Sequence, residues 1–149
     1  MQQRPSHSRS SADILRRGTL ALAAVFALGT AMAQDGVWAV DADGDWSTSS
    51  NWTGSTVADG AGNTADFSQV DLTADRTVTL DSDRLIEQLL FDDASGGSDW
   101  RLQSNTLTLQ GTGTPEIDVA TNTIIASDIA GTQGFTKTGG SVLALDGDN

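Results

Sequence analysis

The side chains in this sequence that could bind or react are almost all carboxylates. Asp41, Asp43 and Asp45 alternate along one short stretch, and oxygen donors at close spacing are the ligands that Ca²⁺ prefers. The stretch is not an EF-hand, because glycine comes at the fourth position instead of the sixth and no glutamate stands at the twelfth. These three aspartates are therefore candidate calcium ligands, with a plain acidic turn as the favoured explanation. No other cofactor is predicted.

Asp92 and Asp93 would be the carboxylate pair of a glycan-active enzyme. Both lie in turn-like sequence, where aspartate commonly hydrogen-bonds to backbone, and no apolar stretch indicates a pocket that would raise a carboxyl pKa. A histidine-dependent nucleophile and the usual zinc site are disfavoured, because the only histidine is His7 and the chain has no cysteine. The sequence predicts a protein that is not an enzyme and has no catalytic residues.

Three tryptophans near the start, Trp38, Trp46 and Trp52, permit two interpretations. Flat aromatic faces beside Asp and Asn are typical of carbohydrate-binding modules, and the chain would then be a β-sandwich with exposed tryptophans. Indoles also close the open end of a stack of strands, where each buries up to about 150–250 Å² and covers strand edges that would otherwise aggregate. We favour the second interpretation, a tryptophan-rich cap.

The segment 1–33 predicts a signal peptide. A leader with four arginines precedes an uncharged apolar run at 20–28, and Ala31-Met32-Ala33 offers small residues for cleavage before Gln34. The run is shorter than the roughly 20 apolar residues that a membrane helix needs. Arg16-Arg17 raises the twin-arginine route, but Thr19 replaces the bulky apolar residue usual in that signal. General secretory export is therefore favoured.

From Gln34 onward the chain is strongly acidic. Its only cations are Arg76, Arg84, Arg101 and Lys137, whereas the twenty Asp and Glu of the chain, less Asp13, leave nineteen acids and a net charge of −15. Nucleic acid and anionic lipid are not expected partners, since binding to phosphates needs clustered Lys and Arg. Without cysteine, the fold must be held by packing and backbone hydrogen bonds alone.

Short strands separated by turns and glycine corners follow residue 68. The segments that predict strands are 77–80, 85–91, 100–103, 106–109, 116–119, 123–126, 135–137 and 142–145. Apolar residues recur at intervals of seventeen, from Leu102 to Val119 and from Leu107 to Ile124, with two strands in each interval. The pattern predicts an all-β fold, a right-handed parallel β-helix whose seventeen-residue coils stack their aliphatic side chains.

The stretch 134–149 carries a more specific pattern of strand, glycine corner, strand and Asp-Gly turn. The residues in register with it are Gly134, Phe135, Lys137, Gly139, Leu143, Leu145, Gly147 and Asn149. Their spacing resembles the autotransporter-associated beta-strand repeat of bacterial secreted and surface passengers, with Phe135 for leucine and Ser141 for glycine. The resemblance implies the amino-terminal part of a passenger, because the pattern breaks off before its Tyr-x-Gly half. It also implies an outer-membrane barrel, which is not encoded here.

Together these patterns predict three regions: a signal peptide at 1–33, a tryptophan-rich cap and loop at 34–67, and solenoid coils at 68–149. The expected function is that of an exported structural or adhesin-like passenger at the cell surface or outside the cell. Its expected partner is a surface or glycan ligand of unknown identity, and contact with the membrane is expected only through regions outside this sequence.

Overall fold

The structure, a computed structural model, describes residues 33–149. The predicted signal peptide, with its basic leader, its apolar run and all but the last residue of its cleavage pattern, lies outside the described residues. Within the described part of the chain, no helix is long and apolar enough to cross a membrane.

The described residues form thirteen short strands and two turns of 3-10 helix, at Ser49–Asn51 and Thr53–Ser55. In chain order the strands are β1 (Gly36–Val37), β2 (Gly44–Asp45), β3 (Thr64–Phe67), β4 (Arg76–Thr79), β5 (Arg84–Ile86), β6 (Gln88–Phe91), β7 (Trp100–Gln103), β8 (Thr106–Leu109), β9 (Glu116–Val119), β10 (Thr123–Ile125), β11 (Asp128–Ala130), β12 (Thr136–Thr138) and β13 (Leu143–Leu145). No strand is longer than four residues, so stability must come from stacking strands into sheets.

Three sheets run along the molecule. The first has the strand order β1-β3-β6-β9-β12, the second β2-β4-β7-β10-β13 and the third β5-β8-β11. All paired strands are parallel, and each partner comes from the adjacent turn of the chain. The chain therefore winds as a β-solenoid with three complete coils and a partial coil at each end, which confirms the predicted all-β parallel β-helix.

The coils are longer and less regular than predicted. Thr64 pairs with Gln88, Gln88 with Glu116 and Glu116 with Thr136, so equivalent points of successive coils lie at positions 64, 88, 116 and 136. Each of these intervals is longer than seventeen, and no two of them are equal. The predicted winding of seventeen residues is wrong.

The seventeen-residue interval joined residues that lie on different sheets. Leu102 is in β7 of the second sheet, whereas Val119 is in β9 of the first. Leu102 instead stacks between Val78 of the preceding coil and Ile125 of the following one. Because a complete coil has three strands instead of two, an interval that spans two strands is too short.

The third strand of a coil arises at a corner that the sequence does not mark. The segment 85–91, predicted as one strand, is divided at Glu87 into the end of β5 on the third sheet and β6 on the first. The corner contains neither glycine nor proline. The N–H groups of Glu87 and Gln88 both donate to the carbonyl of Asn63 in the preceding coil, at 2.9 and 3.0 Å. Hydrogen bonding to the neighbouring coil therefore fixes the turn.

Alternate residues of each strand point into the solenoid and stack on those of the next coil. Val78, Leu102 and Ile125 form one such inward column in the second sheet, and all three are fully buried. Leu89 and Ile117 form another in the first sheet. Each fully buried aliphatic side chain contributes about 1.5–3 kcal/mol to folding, so these columns supply the main stabilisation of the rod.

An aromatic cluster closes the amino-terminal end of the core. Trp38, Trp46 and Trp52 surround Phe67, with ring centroids 5.5–5.7 Å from its own. Phe67 stacks on Phe91 of the next coil at 5.1 Å. The stretch 34–67 thus supplies β1 and β3 to the first sheet as well as three buried indoles.

Candidate functional site

Asp41, the first candidate calcium ligand, is bonded to neighbouring protein groups. Arg76 Nε donates to its Oδ1 at 2.6 Å, and Thr73 donates to its Oδ2 through the hydroxyl at 2.6 Å and the N–H at 3.2 Å. The Arg76 hydrogen bond, aided by that of the Thr73 hydroxyl, lowers the pKa of Asp41 from 3.8 to about 2. A cation at this place would have to compete with Arg76 for the carboxylate.

Asp43 and Asp45, the other two candidate calcium ligands, have different surroundings from Asp41. Asp43 Oδ1 accepts the N–H of Thr77 at 2.8 Å, and Asp45 is exposed. Across residues 33–149, no group of three or more His, Cys, Asp or Glu side chains is placed to hold a metal ion. Calcium binding by these three aspartates stays a prediction.

Six aspartates link a coil to the following one through short hydrogen bonds from backbone N–H groups. Each accepts a hydrogen bond of 2.8–3.0 Å from the backbone N–H of a residue 20–34 positions later: Asp35 from Thr64, Asp43 from Thr77, Asp71 from Ser95, Asp75 from Asp99, Asp83 from Thr106 and Asp128 from Asp148. We term these six residues the bridging aspartates. Their carboxylates satisfy N–H groups at strand starts and corners, where the backbone ladder does not reach.

The sequence interpretation missed the linking role of the bridging aspartates, of which it named only Asp43, as a candidate calcium ligand. Aspartates in turns were expected to bond their own neighbours, whereas these bond the following coil. A signal is present, since Asp35, Asp43, Asp75 and Asp83 each immediately precede a strand. The coil lengths vary too much for that signal to reveal the partners. Six of the nineteen acidic side chains after residue 33 therefore help to hold the coils together.

Asp93, one of the two candidate catalytic carboxylates, is buried and saturated with hydrogen bonds. It is 5% exposed and accepts the N–H groups of Leu72 at 3.0 Å and Ser98 at 3.1 Å, together with the Ser95 hydroxyl at 3.1 Å. Its neighbour Asp92 accepts only the N–H of Asp93 among the described side-chain hydrogen bonds. Asp93 therefore braces its own loop against Leu72 of the preceding coil.

Opposing influences set the protonation of Asp93. Burial alone would raise its pKa, but the hydrogen bonds from Leu72, Ser98 and Ser95 together lower the pKa below the ordinary 3.8. A general acid needs the opposite shift, toward the working pH. Asp93 is therefore a carboxylate held in its charged form for structural reasons.

Arg84 joins the amino-terminal segment to the first complete coil. Its side chain is 9% exposed and stands in register with the buried Leu107 on the third sheet. Nη2 lies 2.8 Å from Asp81 Oδ1 and Nη1 lies 3.5 Å from Asp59 Oδ2. Burial would raise the pKa of Asp81, yet hydrogen bonds from Ser47 and Arg84 lower it overall. The two ion pairs fix the amino-terminal segment, through Asp59, to the first complete coil.

The three amino-terminal tryptophans offer no platform for a sugar. Trp38, Trp46 and Trp52 are 0%, 0% and 2% exposed. Their indole N–H groups donate to the carbonyls of Val40, Ala58 and Trp46, respectively, at 2.7–2.8 Å. Neither the ring faces nor the indole donors are accessible, so a carbohydrate module built on exposed tryptophans is not favoured.

The residues of the 134–149 pattern hold that coil against the preceding one. Gly139 has a φ of 71°, and a Cβ there would collide with the carbonyl of Val119. Asn149 Oδ1 accepts the N–H of Ile129 at 2.6 Å. Glycine and asparagine at these positions have a structural reason, while membership of the repeat family that they resemble stays a prediction.

Comparisons with protein-family models, with curated proteins and with solved structures found no match to this chain. Its function is therefore inferred from the sequence and from the geometry of these residues.

Proposed function

We propose that the protein is a non-catalytic β-solenoid of the structural or adhesin-like kind, exported and either displayed on the cell surface or released. The observation that carries this proposal is how the chain uses its carboxylates. The six bridging aspartates and Asp93 bond backbone N–H groups, so these seven of the nineteen acidic side chains after residue 33 are committed to structure. Such a rod works through its shape and its surface.

The outer faces of the strands support a role in presentation. Polar side chains form rows along adjacent coils: the Thr64 hydroxyl bonds to its in-register partner Gln88 at 3.2 Å, and the Thr138 hydroxyl bonds to Glu116, the in-register partner of Thr136, at 2.7 Å. Parallel stacking repeats such rows at the strand spacing of about 4.8 Å. A surface or glycan ligand would meet a regular polar face, while the net charge of −15 after residue 33 repels nucleic acid and anionic membranes.

A reporter fusion tests export separately from binding. Residues 1–40 joined to an enzyme that is active only outside the cytosol should give an active product whose amino terminus is Gln34. The double change Arg16→Lys and Arg17→Lys in the same fusion should leave export intact, because the general secretory route does not read the twin arginine. An unprocessed, inactive fusion would contradict export.

Display on an unrelated surface anchor tests adhesion. Bacteria that display residues 34–149 should adhere to glycan- or matrix-coated surfaces more than cells that carry the anchor alone. The matched control is the same display with Leu102→Asp, which places a charge in a fully buried column and should abolish both folding and adhesion. Equal adhesion by all three strains would remove the adhesive part of the proposal.

A further inference from the structure

Arg84 occupies an inward position of the third sheet. It stands in register with Leu107, which in turn stands in register with Ile129, so the two following coils place aliphatic side chains where this coil places a guanidinium. The side chain is 9% exposed, and its Nε has no hydrogen-bond partner among the described residues. Because a guanidinium is not deprotonated in proteins, Arg84 puts a permanent charge at the edge of the core.

Two carboxylates balance that charge, and they come from the two sides of one interface. Asp81 lies at the corner between β4 and β5, and its Oδ1 is 2.8 Å from Arg84 Nη2. Asp59 lies on the amino-terminal segment, residues 34–60, and its Oδ2 is 3.5 Å from Arg84 Nη1. A buried cation that loses its counter-charges is strongly destabilising, so the closed interface depends on these carboxylates being ionised.

The same two carboxylates accept hydrogen bonds across this interface. Asp81 accepts the N–H of Ser47 at 3.2 Å and also the Ser47 hydroxyl, which ties the amino-terminal segment to the first complete coil. In the opposite direction, Asp59 accepts the N–H of Leu85 at 3.3 Å. Hydrogen bonds to an ionised carboxylate are stronger than those to a neutral group, so protonation weakens these bonds together with the ion pairs.

The backbone attaches the amino-terminal segment less extensively than it joins the complete coils. β1 and β2 pair with the first and second sheets over two residues each, whereas the pairs β3–β6 and β4–β7 extend over four. Among the described strands, the third sheet begins at β5 and includes none from this segment. Arg84 and its carboxylates therefore lie on the side of the solenoid where the segment has no strand pairing.

The other charged groups around Arg84 have different roles. Asp83 accepts the N–H of Thr106 in the following coil at 3.0 Å, and Asp45 is exposed. β8, which pairs with the strand of Arg84, contains no charged residue. Asp59 and Asp81 are therefore the groups whose protonation acts on Arg84.

The direction of the pH effect follows from Asp81. Burial acts to raise its pKa, but hydrogen bonds from Ser47 and Arg84 lower the pKa below the ordinary 3.8. A carboxyl group with a lowered pKa stabilises the closed arrangement above its ordinary pKa and loses that contribution as the pH falls. The interface should therefore weaken below about pH 4.

We propose that Arg84, Asp59 and Asp81 form an acid-sensitive latch that holds residues 34–60 against the first complete coil. When acid neutralises the two carboxylates, the guanidinium favours the open arrangement, in which water solvates it, and the segment detaches while the complete coils stay stacked. Opening separates Trp46 from Phe67, whose ring centroids lie 5.5 Å apart in the closed structure. The inference concerns conformation alone and holds whether or not the protein is exported.

Amide hydrogen exchange of the full chain, compared at about pH 6 and about pH 3, tests the latch. The reporters are the N–H groups of Trp46 and Gly60, which donate across the interface to the carbonyls of Thr79 at 2.9 Å and Leu85 at 2.6 Å. Their protection factors, corrected for the intrinsic pH dependence of exchange, should fall at least about tenfold, the effect of one pKa unit on a single carboxyl group.

Two further N–H groups report on the complete coils. Ala120 donates to the carbonyl of Phe91 at 2.9 Å, and Ala126 donates to that of Leu102 at 2.8 Å. Their protection factors should fall less than about threefold over the same range, because local opening leaves the rest of the fold intact. A fall equal to that of the interface reporters would mean global acid unfolding and would overturn the inference, as would unchanged protection at the interface.

The variant Arg84→Leu isolates the buried charge, since leucine matches the in-register Leu107. The acid-induced fall in protection of Trp46 and Gly60 should be at least about threefold smaller than in the unchanged chain, because no cation is left without its carboxylates. The matched control is Arg101→Leu, at a side chain that is 39% exposed and outside the latch, which should respond to acid as the unchanged chain does. Equal falls in Arg84→Leu and Arg101→Leu would contradict the latch.

Discussion

Replacing Asp93 with alanine isolates the contribution of a buried carboxylate that the sequence analysis considered, and disfavoured, as half of a catalytic pair. In the structure this side chain accepts two buried N–H groups, from Leu72 and Ser98, and the hydroxyl of the exposed Ser95. Leu72 and Ser98 are themselves buried. The change Asp93→Ala therefore removes the only described side-chain acceptor of two donors that water reaches poorly.

The expected loss follows from those two donors. A buried donor left without a partner costs about 1–3 kcal/mol, whereas the Ser95 hydroxyl can turn to solvent. We therefore expect Asp93→Ala to lower the free energy of unfolding by about 4 kcal/mol, out of the roughly 5–15 kcal/mol typical of a domain. Asp93→Asn should cost less, about 2 kcal/mol, because one amide oxygen remains to accept a hydrogen bond.

The matched control is the adjacent carboxylate. Asp92 is half-buried and accepts only the N–H of Asp93, so Asp92→Ala should cost at most about 1 kcal/mol. Urea unfolding, followed in parallel by tryptophan emission and far-ultraviolet circular dichroism, measures the three variants against the unchanged chain. Equal losses for Asp92→Ala and Asp93→Ala, within about 0.5 kcal/mol, would refute the role assigned to Asp93.

Three further outcomes are expected in the same urea assay. Leu102→Ala should lower the free energy of unfolding by about 3 kcal/mol, because this side chain is fully buried. Val142→Ala, at a side chain that is 64% exposed, should change the free energy of unfolding by less than about 0.5 kcal/mol. Similar losses for the two variants would contradict the inward columns. Gly139→Ala should cost at least about 1 kcal/mol because of its positive φ and its contact with the preceding coil, whereas Gly140→Ala, with open space around it, should be neutral or slightly stabilising. The pKa of Asp41 is lowered from 3.8 to about 2, so the contribution of its carboxylate to stability is complete above about pH 4 and is lost as the pH falls toward 2. The difference in free energy of unfolding between the unchanged chain and Asp41→Asn should therefore shrink over that range. A difference that stays constant with pH would count against the Arg76 pairing.

The local structure was predictable because it depends on neighbours in sequence. Thr77, Val78, Thr79 and Leu80 alternate between polar and apolar, and the structure places β4 at Arg76–Thr79 with Val78 facing the core. Parallel stacking was also predictable, because strands this short cannot bury a core singly.

The coil length was not predictable, because it is set by contacts between residues far apart in sequence. The corner at Glu87 depends on the carbonyl of Asn63, and nothing local marks it. The loop from Asp92 to Asp99 folds around Asp93, so it lengthens the coil without adding a strand. The apolar interval of seventeen residues arose by coincidence between residues of different sheets.

The candidate site was predictable only in its composition. The sequence indicated many carboxylates and few cations, but the partners of Asp41 and of the bridging aspartates lie 20–35 residues away. Lys137 stands in register with Ile117, twenty residues earlier, and a period of seventeen residues does not give that pairing. Side-chain roles in a solenoid follow from register, and register requires the true coil length.

Disulfide formation between engineered cysteines measures that register directly. The chain has no cysteine of its own. Thr77 and Arg101 are in-register partners on adjacent coils. The Cα atoms of such parallel neighbours lie about 4.8 Å apart, which is within the range that a disulfide spans. The pair Thr77→Cys with Arg101→Cys should close rapidly on mild oxidation of the folded protein. The control pair, Arg101→Cys with Asp118→Cys, is seventeen residues apart but lies on two sheets, and it should stay reduced. Closure of the control pair, with the in-register pair left open, would contradict the three-sheet solenoid.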